Sequence, residues 1–98
     1  MIFVIYCKDK PDSLQLRMDT RPTHVDYLTS LNTAGTLKFA GPLLGEDGKP
    51  FGSMIAVEAA DKAAAEVLAK NDPYAKAGLF ASVEINPWTW TFNNPANA

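Results

Sequence analysis

The sequence predicts an α+β domain in which two helices cover one face of a four-stranded antiparallel sheet. Three observations carry this expectation. Apolar stretches of strand character open and close the chain, two helical stretches lie between them with capping residues and breakers at their ends, and the pieces follow the order β-α-β-β-α-β.

Ile2 to Cys7 is a continuous run of β-branched, aromatic and other apolar residues, the pattern of a strand buried on both faces. Lys8-Asp9-Lys10-Pro11-Asp12 is a polar turn, after which Asp12 or Ser13 caps a short helical stretch from Ser13 to Met18. Thr20 reads as the cap of a second helix, with Pro22 in its first turn, where a missing N–H costs nothing. That helix runs to about Ala34, and Gly35 ends it; a single bent helix over the whole region is the alternative. Thr36 to Pro42 is the second strand, stopped or bent by Gly41-Pro42. Gly45 to Pro50 forms a flexible turn, and Gly52 to Glu58 is the third strand, with Met54 and Ala56 on one face and Ile55 and Val57 on the other. Asp61 caps an alanine-rich helix that runs through Lys70. Asn71-Asp72-Pro73-Tyr74 breaks it, because the residue before a proline avoids helical backbone angles. Ala75 to Ala77 adds one turn, closed by Gly78. Leu79 to Phe92 is the last strand. Its apolar phase passes from Val83 and Ile85 to Trp88, Trp90 and Phe92, as a bulge at Asn86-Pro87 would produce. The polar tail, residues 93–98, is expected to fray.

Two right-handed β-α-β units in this order interlock as the ferredoxin-like arrangement. Helices cover only one of its faces. Yet both faces of the first strand are apolar, and the last strand carries two tryptophans. The uncovered face would exceed what monomers commonly expose, so a homodimer joined sheet to sheet is expected, with Trp88 and Trp90 in its core.

With 98 residues the chain makes one domain, spanning 1–98. A net charge of −2 and the lack of any Lys/Arg cluster argue against a nucleic-acid partner. No apolar run approaches the length of a membrane span, and the N-terminus lacks the basic leader of a signal peptide. Cys7 is the single cysteine, so no intrachain disulfide forms, which fits a cytoplasmic setting. Within an apolar strand Cys7 reads as core.

Few residues offer chemistry. His24 is the only histidine and shares a helical stripe with Leu28, Leu31 and Gly35, which should face the sheet. An imidazole there titrates near neutral pH. Asp72, at the break after the alanine-rich helix, is its best candidate partner. A carboxylate beside the ring would fix its tautomer and raise its basicity. Spacing does not show whether the two meet: a capping histidine and a turn aspartate are the plainer readings. Ser53, after Gly52, is a possible third polar group, more simply a strand-edge serine. One histidine and one cysteine do not build a zinc site, the acidic residues show no ligand spacing, and phosphate-loop, dinucleotide and serine-nucleophile motifs are absent. Neither metal nor organic cofactor is expected.

Several segments together resemble one family. They are Asp9-Lys10-Pro11-Asp12-Ser13-Leu14 with Arg17, Arg21-Pro22-Thr23-His24 with Tyr27-Leu28, Ala40-Gly41-Pro42-Leu43, Gly52-Ser53-Met54, Asn71-Asp72-Pro73-Tyr74, Ala77-Gly78-Leu79, and Ile85-Asn86-Pro87-Trp88. In this order and spacing the chain resembles the YciI-like (YCII-related) family over nearly its whole length. The resemblance implies a ferredoxin-like fold paired into a dimeric α/β barrel. It also implies an active site on a histidine and an aspartate, which map to His24 and Asp72, with Gly41, Pro42 and Ser53 in the substrate cleft. Some members of the family act in aromatic degradation, one type removing hydrogen chloride from a chlorinated hydroxyquinol. The leading expectation is a small dimeric enzyme with lyase or isomerase chemistry on a small cyclic or aromatic substrate; the rival is a ligand-binding or accessory dimer without catalysis.

Overall fold

The computed structural model describes residues 1–97, the side chain of Asn97 excepted. Its elements are β1 (Ile2–Asp9), α1 (Leu14–Thr33), β2 (Leu37–Leu44), β3 (Pro50–Glu58), α2 (Lys62–Asn71), α3 (Pro73–Lys76) and β4 (Phe80–Trp88), with a short 3₁₀ turn at Pro95–Asn97. The four strands form one antiparallel sheet in the order β2-β3-β1-β4. This is the ferredoxin-like topology, with α1 and α2 packed on one face. Among the described residues no helix is long and apolar enough to cross a membrane.

Register decides which residues meet the helices. Phe3, Ile5 and Cys7 of β1 pair with Val57, Ile55 and Ser53 of β3, and all six are buried. Paired residues of antiparallel strands point to the same face, so this row forms the sheet side of the core. Leu28, Leu37, Leu68, Ala69, Phe80 and Ile85 pack against it. The alternate row, Ile2, Val4 and Tyr6 with Met54 and Ala56, faces away from the helices. Phe39 pairs with Ala56 and Trp88 with Ile2, so both join that outer face. There Phe39 meets Trp88 and Trp90 edge-on, at ring-centroid distances of 5.5 and 5.1 Å.

Several local expectations need correction. The region after β1 is one helix, so Thr20 caps nothing and Pro22 lies in its interior. Ser13 stands at the helix N-terminus, but its hydroxyl donates to the Pro11 carbonyl rather than capping. Gly41-Pro42 does not stop β2, which continues to Leu44. β2 is an edge strand, where a proline without an N–H is tolerated. The turn before β3 is correspondingly shorter, closed by a Gly45 N–H to Lys49 carbonyl bond of 2.9 Å. The irregularity of the β1–β4 ladder lies between Lys8 and Asp9, opposite Ser82 and Phe80, not at Asn86-Pro87. Val83 and Ile85 face the helices while Trp88 faces the outer side, so two apolar faces, rather than a bulge, explain the change of phase. β4 ends at Trp88, which pairs with Ile2, the first residue of β1, so Trp90 and Phe92 lie beyond the strand. In the tail, Asn94 accepts from the Ala96 N–H and donates to the Trp90 carbonyl; Ala98 lies outside the described residues.

Asp61 caps α2 as expected, its Oδ1 accepting from the Ala64 N–H at 2.8 Å. The single turn beyond the break is Pro73–Lys76 rather than Ala75–Ala77. Gly35 and Gly78 follow the helices at φ of 79° and 76°, a backbone region that costs other residues free energy. Gly52 is required for another reason: a Cβ there would run into the Cys7 carbonyl oxygen of the neighbouring strand.

Candidate active site

A continuous α1 places Arg17, Arg21, His24 and Leu28 on one stripe, within about 60° of each other at 100° per residue. All four line a cavity of about 380 Å³ between α1 and the β2–β3 side of the sheet. Gly41, Pro42 and Ser53 line the same cavity, with Met18, Val25, Leu44, Ile55 and Tyr74. Pro42 and Ser53 are cross-strand partners, so the register brings them to one spot. The three residues assigned to the cleft by resemblance thus lie together, with Gly41 contributing backbone at the rim.

His24 and Asp72, 48 positions apart, meet: His24 Nδ1 lies 2.8 Å from Asp72 Oδ1. Local sequence explains the placement of the carboxylate. Pro73 forces Asp72 into extended backbone (φ −61°, ψ 128°), which ends α2, and Asp72 then caps α3. Its Oδ1 accepts from the Tyr74 N–H at 2.9 Å as well as facing the imidazole. An ionised carboxylate only accepts, so Nδ1 is the donor, and the Nε2 of a neutral ring is left with a free lone pair. His24 is 7% exposed and borders the cavity, whereas Asp72 is 2% exposed and borders only a small void of about 10 Å³ behind it. The carboxylate therefore backs the imidazole and is shielded from the cavity.

A second buried pair frames the site. Arg17 Nε and Nη2 donate to Asp9 Oδ2 and Oδ1 at 2.7 and 2.8 Å, and Nη2 also reaches Ser53 Oγ at 3.0 Å. Burial works against the guanidinium charge, but the Asp9 hydrogen bonds and charge overcome it and hold Arg17 above its ordinary value. Tyr74 packs between the two groups: His24 stacks on its ring at 3.9 Å between centroids, and the Arg17 guanidinium carbon lies 4.6 Å from the ring centroid. Burial, then the nearby Asp72 carboxylate, pushes the Cys7 thiol up to about 12, so this buried cysteine is an inert core group at neutral pH. Among the described residues no group of three His, Cys, Asp or Glu side chains is arranged to hold a metal.

The sequence alone does not assign Asp9, Arg17, Arg21 and Tyr74 to the site. The missing signal was a charged stripe on α1: Arg17 and His24 lie two turns apart on the sheet-facing side. A helix start at Thr20 would hide it, whereas the continuous α1 shows it.

Residues 1–89 match the YCII-related domain. Protein YciI of Escherichia coli is 36% identical over 98 residues, covering 94% of this chain and 100% of that protein. The chain belongs to the YCII-related family. The derivative of benzaldehyde biosynthesis cluster protein C of Emericella nidulans is 36% identical over 74 residues, covering 68% of this YCII-related chain and 76% of that protein. Among solved structures, the 5-chloro-2-hydroxyhydroquinone dehydrochlorinase of Burkholderia phenoliruptrix, in complex with 2,5-dihydroxybenzoquinone, superposes with a TM-score of 0.85 at 36% identity. That match covers 96% of this YCII-related chain and 99% of the dehydrochlorinase. An antibiotic biosynthesis monooxygenase shares the fold alone, with a TM-score of 0.51 at 12% identity over 91% of this chain and 99% of that one.

Proposed function

We propose that this YCII-related protein is a lyase- or isomerase-like enzyme acting on a small cyclic or aromatic molecule, with His24 as general acid–base. The observation that carries the reading is the imidazole itself: it lines a cavity while its far nitrogen is bound to a buried carboxylate. Asp72 selects the tautomer in which Nε2 accepts a proton, and it balances the charge of the imidazolium that forms. Proton abstraction needs a positioned base and a shielded pocket, and neither a nucleophile nor a cofactor enters this scheme. The cavity suits a single ring in size and in its mix of apolar walls with a few polar groups. The dehydrochlorinase of similar sequence and fold supports the same reaction class.

In this reading the chain works as a homodimer in the cytoplasm. The outer sheet face, with Phe39, Met54, Trp88 and Trp90, would meet its twin and close a dimeric α/β barrel. A binding role without turnover draws on the heavy burial of both His24 and Asp72. One experiment separates the two. Hydroxylated and halogenated monocyclic compounds are screened by thermal shift, and those that bind are tested for turnover. His24→Ala should lower kcat by about 10²- to 10⁴-fold, the usual worth of general acid–base catalysis. Full activity in that variant removes the proposed role of His24.

A further inference from the structure

One titratable group in the cavity wall is not used by the scheme above. Tyr74 is 2% exposed, and it lines the cavity. Both faces of its ring are held. His24 stacks on one face with an interplanar angle of 18°, so the Arg17 guanidinium, 4.6 Å from the centroid, takes the other. Phe80 meets the ring edge-on at 6.0 Å. The ring therefore has no room to turn, and the direction of its hydroxyl is fixed.

The polar neighbour of that hydroxyl is the Arg17 guanidinium, which can only donate to it, so the O–H itself has no acceptor among the described residues. Tyr74 keeps a small exposure and lines the same cavity as His24. A fixed O–H beside a candidate base, with no protein acceptor, is arranged to donate to a ligand oxygen.

We propose that Tyr74 is a second catalytic group, donating a hydrogen bond to a ring oxygen of the substrate while His24 takes a proton from the ring. The inference rests on the reading of His24 as a base. In the step envisaged, a C–H bond next to a ring carbonyl breaks and its proton goes to Nε2. The electron pair forms a C=C bond, the carbonyl π pair moves onto oxygen, and that oxyanion is held by the Tyr74 O–H. The substrate class is a planar single ring carrying a carbonyl, or a hydroxyl that tautomerises to one. Charge in the wall agrees with an anion there. Asp9 pairs with Arg17, whereas Arg21, which also lines the cavity, forms no ion pair among the described residues. Burial raises Tyr74 despite both guanidiniums, so the phenol keeps the proton it must donate.

The test uses 2,5-dihydroxybenzoquinone as an oxyanion probe, titrated into wild type, Tyr74→Phe and His24→Ala. Phenylalanine keeps the stacked ring and removes only the hydroxyl, so thermal melting should be unchanged. Binding should weaken roughly 10- to 100-fold in Tyr74→Phe, the worth of a hydrogen bond to a charged group. On any substrate turned over by wild type, kcat should fall about 10²-fold. A Tyr74→Phe protein that binds and turns over like wild type overturns the inference. If His24→Ala loses turnover in the same series, the base survives that failure. Lack of probe binding to wild type at millimolar concentration also overturns the inference, and leaves His24 to its own substrate screen.

Discussion

Removing Asp9 should unfold this protein far more readily than removing a surface charge. The Asp9 and Arg17 side chains are 7% and 4% exposed and joined by two hydrogen bonds, so each is poorly solvated when its partner is lost. Asp9→Ala leaves a guanidinium buried with neutral company, the Ser53 and Tyr74 hydroxyls and an aromatic face. Breaking a buried pair from one side costs about 3–5 kcal/mol. A domain of this size has a total stability of about 5–15 kcal/mol, so the loss is a large share of it. Each kcal/mol lowers Tm by about 4–8 °C in domains of this length, which puts the drop between about 12 and 40 °C. Urea unfolding of Asp9→Ala, and of a cycle made of Asp9→Leu, Arg17→Met and the Asp9→Leu/Arg17→Met double variant, completes the measurement. The double variant should recover most of the loss, because an apolar pair of similar volume carries no desolvation penalty. A loss below about 1 kcal/mol in Asp9→Ala, the value typical of exposed pairs, or additivity across the cycle would refute the claim that this pair braces the site.

Two further outcomes are expected. Burial and Asp72 raise the Cys7 thiol from 9.0 to about 12, so between those values the unfolded chain has released a proton that the native chain retains. The stabilising contribution is whole below pH 9 and fades as pH rises through that window, by roughly 1.4 kcal/mol per pH unit at most. Urea midpoints measured at pH 8, 9.5 and 10.5 should fall more steeply in wild type than in Cys7→Ala, and parallel slopes would show that the thiol is not responsible. Trp88→Asp puts a charge on the outer sheet face without touching the helix-side core, so sedimentation should shift toward the monomer while circular dichroism stays native. A Trp88→Asp protein that sediments as wild type would count against sheet-to-sheet pairing.

The topology was legible because each connection announces itself locally. Asp61, Gly35, Gly78 and Pro73 end or begin elements through their own backbone chemistry, and the order of the elements leaves few ways to pair the strands. What misled were residues whose role depends on neighbours distant in sequence. Pro22 looks like a helix start until α1 is seen to pass through it, and Pro42 looks like a strand end until β2 is seen to be an edge. The phase change in β4 looks like a bulge until both faces of the sheet are known to be apolar. The site shows the same divide. His24 and Asp72 stood out by residue type, and the resemblance paired them, but their approach to 2.8 Å is a tertiary fact. Arg17 and Tyr74 carried no distinguishing spacing once the helix had been divided.

The fold and the candidate chemistry share one atom. Asp72 Oδ1 accepts both from the Tyr74 N–H, which starts α3, and from the imidazole of His24. The oxygen that caps a four-residue helix is thus also the one that orients the ring. Because α3 begins there, Tyr74 projects back over α1, between Arg17 and His24. The alternative, an α2 without its proline break, would carry position 72 onward as helix, lose the cap and remove the ring from between the two α1 side chains. It follows that substitution of Asp72 confounds stability with chemistry, since it removes a cap and a partner together. His24 and the Tyr74 hydroxyl can be changed without touching that cap. They are the positions at which loss of turnover, in a protein that still melts like wild type, speaks for function alone.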